Sequence, residues 1–259
     1  MKFARYWTRR QGEATDSDRQ TIEVSSRGWS DVSLEDAAAR AGERARRLAE
    51  RIATDRNAAK LYDYGDSPVP EPIVHDFRPE GAAAVVTRNS YGSLVLNTDE
   101  LLFADVDTDS RHGALDQAER VAGRHGFSLR AYQTAAGYRL MVTNRRVRGG
   151  GDEAESILQE FGSDPLYMRL CRTQQSFRAR LTPKPWRAGT QKPPSKFPFE
   201  GPAVEAAFRR WEEQYNRGIA GYATCRLIKT VGSEVDPGFT ALIEHHDRET
   251  KAASTLPLA

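Results

Sequence analysis

ELLFADVDTDSRHGALDQAERVAGRHGFSLRAYQTAAGYRLMVTN, residues 100–144, decides the fold. It begins with an apolar run, Leu101 to Ala104, that enters a row of acids at Asp105, Asp107 and Asp109. Apolar runs are buried, whereas an unpartnered buried carboxylate is costly. The strand therefore reads as buried at its start and chemically committed at its end. Residues 113–126 then follow a helical pattern closed by Gly126, and SLRAYQTA and AGYRLMVTN read as two strands joined by a tight turn. Downstream, GDEAESILQEFG (151–162) has helical spacing, and QSFRARLTP (175–183) supplies a last strand. The order β-α-β-β-α-β predicts an α+β fold with an RRM-like, ferredoxin-like core. In that plan the first and third strands lie side by side in the sheet centre, with two helices on one face and the other face open.

Outside that stretch, AAAVVTRNSYGSLVLN (82–97) reads as a hairpin with its turn near Asn89–Gly92. Residues 1–30 read as short polar strands. SLEDAAARAGERARRLAERIA (33–53) is the clearest helix, with Ser33 as N-cap and its Arg residues on a solvated face. The chain divides into N-terminal strands and helix at 1–61, a Pro/Gly-rich linker at 62–81, the core at 82–184, and a Pro-rich connection with a C-terminal helical segment at 185–259. AVEAAFRRWEEQYNRG and FTALIEHHDRE read as helices there, and ATCRLIKTVG as strand or helix.

The 259 residues are 39% hydrophobic and 29% charged, which excludes a globally disordered chain. No apolar run is long enough to span a bilayer, and the N-terminus lacks a signal-type apolar segment, so no membrane partner and a cytoplasmic location are expected. Cys171 and Cys225 lie in no CxxC pair and read as buried thiols. Net charge is only +2, yet Pro165 to Phe199 contains eight bases and no acid. That segment points to an anionic partner or to a solvated basic face.

Residues two apart on a strand share a face, so Asp105 and Asp107 point together, with Asp109 joining if the strand continues. Paired carboxylates suit a hard divalent ion, Mg²⁺ or Mn²⁺, completed by substrate phosphates. The plainer reading is a strand ending at Ala104 with acids capping the next helix. Arg139, on the neighbouring strand, either holds a phosphate beside the metal or neutralises the aspartates by itself. Arg178, Arg180, Lys184 and Arg187, in FRARLTPKPWR (177–187), are candidate phosphate ligands, and Trp186 a candidate stacking surface for a base. His245, His246 and Asp247 offer a metal ligand or base, or a structural pair. Walker, dinucleotide-binding and serine-hydrolase motifs are absent. A DxD phosphatase with Asp105 as nucleophile fits less well, because Thr108 is followed by Asp109.

These features resemble the archaeo-eukaryotic primase superfamily across roughly residues 95–250. Those enzymes carry a DxD pair at a strand end, a small-x-His motif on a neighbouring strand, and a hydrophobic residue followed by an acid. FADVD matches the first motif, AAGYRL falls where the second belongs, and Asp247 in LIEHHD stands for the third. The resemblance implies a metal-dependent nucleotidyltransferase that acts on nucleoside triphosphates or nucleic-acid ends, with Asp105, Asp107 and Asp247 at Mg²⁺ or Mn²⁺. Arg139 stands where the family has His, and Arg is no proton shuttle near neutral pH. A non-catalytic nucleotide- or nucleic-acid-binding module is the alternative reading. YGSLVLNT and FRARLTPKPWR also resemble stretches of uncharacterised bacterial proteins, a likeness that carries no chemistry.

Overall fold

The computed structural model describes residues 1–55, 68–77, 82–108 and 111–259. Asp109 and much of the 62–81 segment lie outside them. The chain forms two compact units, one of Phe3–Pro72 with Pro194–Trp211, the other of Met1–Lys2, Ile73–Pro193 and Glu212–Ala259.

The first unit is built on a long antiparallel hairpin, β1 (Tyr6–Thr15) and β2 (Thr21–Ser30), in a register running from Tyr6 opposite Ser30 to Thr15 opposite Thr21. Helix α1 (Leu34–Thr54) packs along it. Ser33 caps the helix as expected, accepting from the Asp36 amide at 3.0 Å. Asp36 reaches outward instead, accepting from the Ser30 hydroxyl at 2.6 Å. Ala37, Ala41, Ala45 and Ala49 form the fully buried stripe. Small residues are needed there because hairpin and helix backbones nearly touch: a Cβ on Gly28 would stand 2.2 Å from the Ala37 carbonyl oxygen. The Arg face of α1 is not wholly solvated, since Arg44 lies 4.3 Å over the Trp29 ring.

The second unit holds β3 (Ile73–Phe77), β4 (Ala84–Arg88), β5 (Leu94–Thr98), β6 (Phe103–Asp107), α2 (Arg111–His125), β7 (Leu129–Thr134), β8 (Gly137–Val142), α3 (Asp152–Glu160), α4 (Pro165–Gln174) and β9 (Phe177–Arg180). Helix α5 (Pro202–Gly218) starts in the first unit and ends in the second, followed by β10 (Cys225–Val231) and α6 (Thr240–Thr250). One antiparallel sheet has the order β3-β4-β5-β9, and the other β10-β7-β8-β6. The fold is therefore mixed α+β. The β4–β5 turn lies where the sequence put it, with the Asn89 carbonyl accepting from the Gly92 amide at 2.9 Å. Strand β3, by contrast, falls within the segment read as a linker.

The sheet that carries the acids departs from the expected plan at one strand. The first and third strands, β6 and β8, do pair, with Asp105 opposite Arg139. But β6 is the edge of its sheet, and the expected fourth strand, β9, pairs with β5 in the other. The cause is a phenol. The Tyr167 hydroxyl, on α4, donates to the Phe103 carbonyl at 2.6 Å and accepts from the Arg178 amide at 3.3 Å. The next β6 acceptor, the Asp105 carbonyl, takes the Asp164 amide at 2.9 Å. The β6 edge is thus satisfied by α4 and its cap, with no ladder to β9. Strand β10, one of two readings for its sequence, lies on the opposite edge, beside β7.

Neither face of this sheet is open along its length. Ala104, Val106, Tyr138 and Leu140 are buried on one parity, and Phe103, Tyr132, Arg139 and Met141 on the other. On the second face the His246 ring of α6 lies 5.4 Å from Phe103 and 4.9 Å from Tyr132. The open face anticipated for the acids survives only at the end of β6, where Asp105 is half-buried and Asp107 exposed.

Candidate functional site

Strand β6 continues through Asp107, so the two aspartates do share a face. Among the described residues neither carboxylate makes a hydrogen bond or ion pair. Asp107 shows the consequence. Partial burial raises its pKa, the negative charges of Asp105 and Asp164 add to this, and Lys184 and Arg187 pull it back only in part. Asp164 is an acid the sequence reading missed. As N-cap of α4 it accepts from the Tyr167 amide at 2.8 Å. The signal was present, since an Asp followed by Pro opens a helix in the preferred way.

Arg180, Lys184 and Arg187 flank the acids. The lysine pKa is lowered by burial and by the positive charges of Arg180 and Arg187, while Asp107 and Asp105 oppose the shift. The Arg180 guanidinium is pushed the same way by burial and then by Arg139, with Asp105 favouring its charge. Its Nε, shielded from solvent, meets no acceptor among the described residues. Two acids that repel each other thus stand beside three bases that repel each other. Arg178, two residues before Arg180 on β9, is buried, and its positive charge acts on the Cys171 thiol. Both cysteines are buried free thiols, as expected.

Among the described residues, Arg139 does not neutralise the aspartates by pairing with them. It is 2% exposed. Its Nη1 donates to the Arg180 carbonyl at 2.8 Å and to His246 Nε2 at 3.2 Å, and among the described residues it forms no ion pair with an aspartate. It fixes the backbone that presents Arg180. Behind it runs a buried polar chain. His246 Nδ1 donates to Asp247 Oδ1 at 2.9 Å, which leaves Nε2 free to accept from Arg139. Burial pushes the imidazole pKa down to about 4, so it is neutral at pH 7. The Tyr132 hydroxyl donates to Asp247 at 2.8 Å, and Arg130 pairs with the same carboxylate. Burial raises the Asp247 pKa, but the His246, Tyr132 and Arg130 contacts outweigh it and leave the pKa lowered.

Asp247 therefore does not join Asp105 and Asp107: its oxygens are engaged by three neighbours on the covered face of the sheet. His245 lies apart, stacked on Phe77 at 5.3 Å. Among the described residues no three His, Cys, Asp or Glu side chains form a metal-holding group. None of their helices is long and apolar enough to cross a membrane.

Comparison of this chain with protein-family models, curated proteins and solved structures found no match.

Proposed function

We propose that the second unit binds a nucleotide or nucleic-acid end through its phosphates, with Mg²⁺ or Mn²⁺ held by Asp105 and Asp107, as an enzyme of primase-polymerase type. One observation carries this reading: carboxylates without a partner among the described residues share a strand end with a cluster of mutually repelling cations. A divalent ion relieves the first repulsion and a phosphate group the second, and a phosphate-bound ion joins them. The donor set fits, because two carboxylates leave coordination positions for water and phosphate oxygens, as Mg²⁺ prefers. When bound, such an ion neutralises phosphate charge and makes a hydroxyl more nucleophilic. The chain's own groups do the rest. Lys184 and Arg187 bind phosphate oxygens, Arg180 lends its charge and an unmatched donor, and Arg139 positions Arg180 without moving a proton.

The order β7-β8-β6, with α2 crossing between β6 and β7, supports an RRM-like ancestry for this half of the core. An RNA-binding module of the ordinary kind fits less well. Its stacking aromatics stand on the open sheet face, whereas Tyr132 is 0% and Tyr138 4% exposed.

Titration with a nonhydrolysable nucleoside triphosphate tests the proposal. Binding is expected in Mn²⁺ and is lost in EDTA. Equal affinity in EDTA contradicts the metal and leaves a plain phosphate-binding surface.

A further inference from the structure

An aromatic pair that the phosphate site does not use stands beside it. Trp186 occupies the 3₁₀ turn Pro185–Ala188, directly after Lys184, and is 43% exposed. Tyr91, at the tip of the β4–β5 hairpin, is 47% exposed and meets the indole edge-on at 5.1 Å. The Lys184 and Lys192 ammonium groups lie 5.7 Å and 5.4 Å from the centre of the Trp186 ring. Leaving such rings in water forgoes the burial that ordinarily holds large aromatics.

Their mounting is rigid. The Ser93 hydroxyl donates to the Pro183 carbonyl at 2.9 Å, and the Leu94 amide to the Thr182 hydroxyl at 2.9 Å. Tyr215 reaches the same Pro183 carbonyl at 2.7 Å. The hairpin tip and the 3₁₀ turn are thus tied at their bases, and their aromatic ends project outward.

We infer that Trp186, braced by Tyr91, is a stacking platform for an unpaired nucleobase, and that the ligand is single-stranded nucleic acid. The inference rests on the phosphate reading above and names its substrate class. Every base has a π-face, so stacking on Trp needs no base-specific hydrogen bonds. Two cations, Lys184 and Lys192, lie over the ring, and Lys184 also interacts with Asp107 and Asp105. A nucleotide within a strand carries a phosphate on either side of its base, whereas a free nucleotide carries phosphate on one. A duplex is excluded by the same logic, because its base faces are already stacked on each other.

The test measures binding of a labelled oligothymidylate, a duplex of equal length, a nucleoside triphosphate and inorganic tripolyphosphate, the last two with Mn²⁺. The proteins compared are wild type, Trp186→Ala and Trp186→Phe. Trp186→Ala should weaken the oligothymidylate by about tenfold or more. Trp186→Phe should recover most of that loss, and the salt dependence of binding should keep its slope because the phosphate contacts remain. Wild-type affinity of Trp186→Ala for the oligothymidylate overturns the inference, as does duplex binding as tight as single-strand binding. A loss of nucleoside triphosphate equal to that of the oligothymidylate makes the free nucleotide the ligand and also overturns it. Failure of wild type to bind tripolyphosphate in Mn²⁺, with Trp186-dependent strand binding intact, removes the metal proposal and leaves the platform standing.

Discussion

Exchanging Asp105 and Asp107 together for Asn should weaken Mn²⁺-dependent triphosphate binding by at least about a hundredfold, since even outer partners of metal ligands are worth 10–100-fold. The same exchange should leave the fold intact. Neither carboxylate makes a bond to another described residue, so no partner is orphaned by the change. The sign of the pH effect follows from Asp107. Its folded-state pKa is raised, first by burial and then by Asp105 and Asp164. A raised carboxyl pKa favours folding below the unfolded value and loses that contribution as pH rises through the folded one. Ionised Asp107 thus opposes folding at neutral pH, and the doubly substituted protein should lack that component of the wild-type pH profile. Denaturant unfolding between pH 3 and 7 measures it. Loss of several kcal/mol at neutral pH on substitution would show the acids to be structural. Unchanged triphosphate affinity would remove the metal from them.

The largest stability effect is expected at Asp247. Its removal as Asp247→Ala leaves Arg130, Tyr132 and the His246 Nδ1–H short of an acceptor in a mostly buried setting. Loss of one partner from a buried charged network costs roughly 3–5 kcal/mol, and partial exposure of this pair brings the expectation to about 2–3 kcal/mol. The wild-type network should also fail in acid. Unfolded His246 binds a proton below its ordinary value of 6.5, whereas burial delays protonation of the folded imidazole to about 4. Stability present above pH 6.5 is therefore lost as pH falls from 6.5 to 4, on the order of 3 kcal/mol in total. Asp247 works in the same direction at lower pH. Its lowered folded pKa contributes stability above the unfolded carboxylate value, and that contribution disappears as pH falls through the folded pKa. Unfolding of His246→Gln at pH 7, 5 and 4 checks the account. Its stability should fall less steeply than that of wild type, and parallel slopes would contradict a neutral buried imidazole.

Local chemistry was legible in the sequence where the deciding interactions are local. Ser33 caps α1 three residues before the amide that donates to it, Asn89 closes a hairpin within five residues, and alternation placed Asp105 and Asp107 on one face. Pairing of β6 with β8 followed from a short β-α-β-β order. The Asp164–Pro165 helix start carried a local signal that was missed; the misreadings at the site's other residues are non-local. Nothing near QSFRARLTP tells that its edge partner will be β5, because the Tyr167 hydroxyl that separates it from β6 lies on a helix the sequence reading passed over. Arg139 was placed on the correct face, yet its direction is set by His246, 107 residues away. Asp247 was picked for its charge, and only the fold brings Arg130 and Tyr132 against it. A buried side chain is assigned by its partners, which no window of sequence contains.

The central claim is that the end of β6 holds a divalent ion against a phosphate. Anomalous diffraction from crystals grown with Mn²⁺ and a nonhydrolysable nucleoside triphosphate tests it most directly. The account predicts a manganese peak bridging the Asp105 and Asp107 carboxylates, with phosphate oxygens completing its coordination and facing Lys184 and Arg187. Triphosphate bound at those bases with no manganese between the aspartates, or manganese at another site alone, would contradict it.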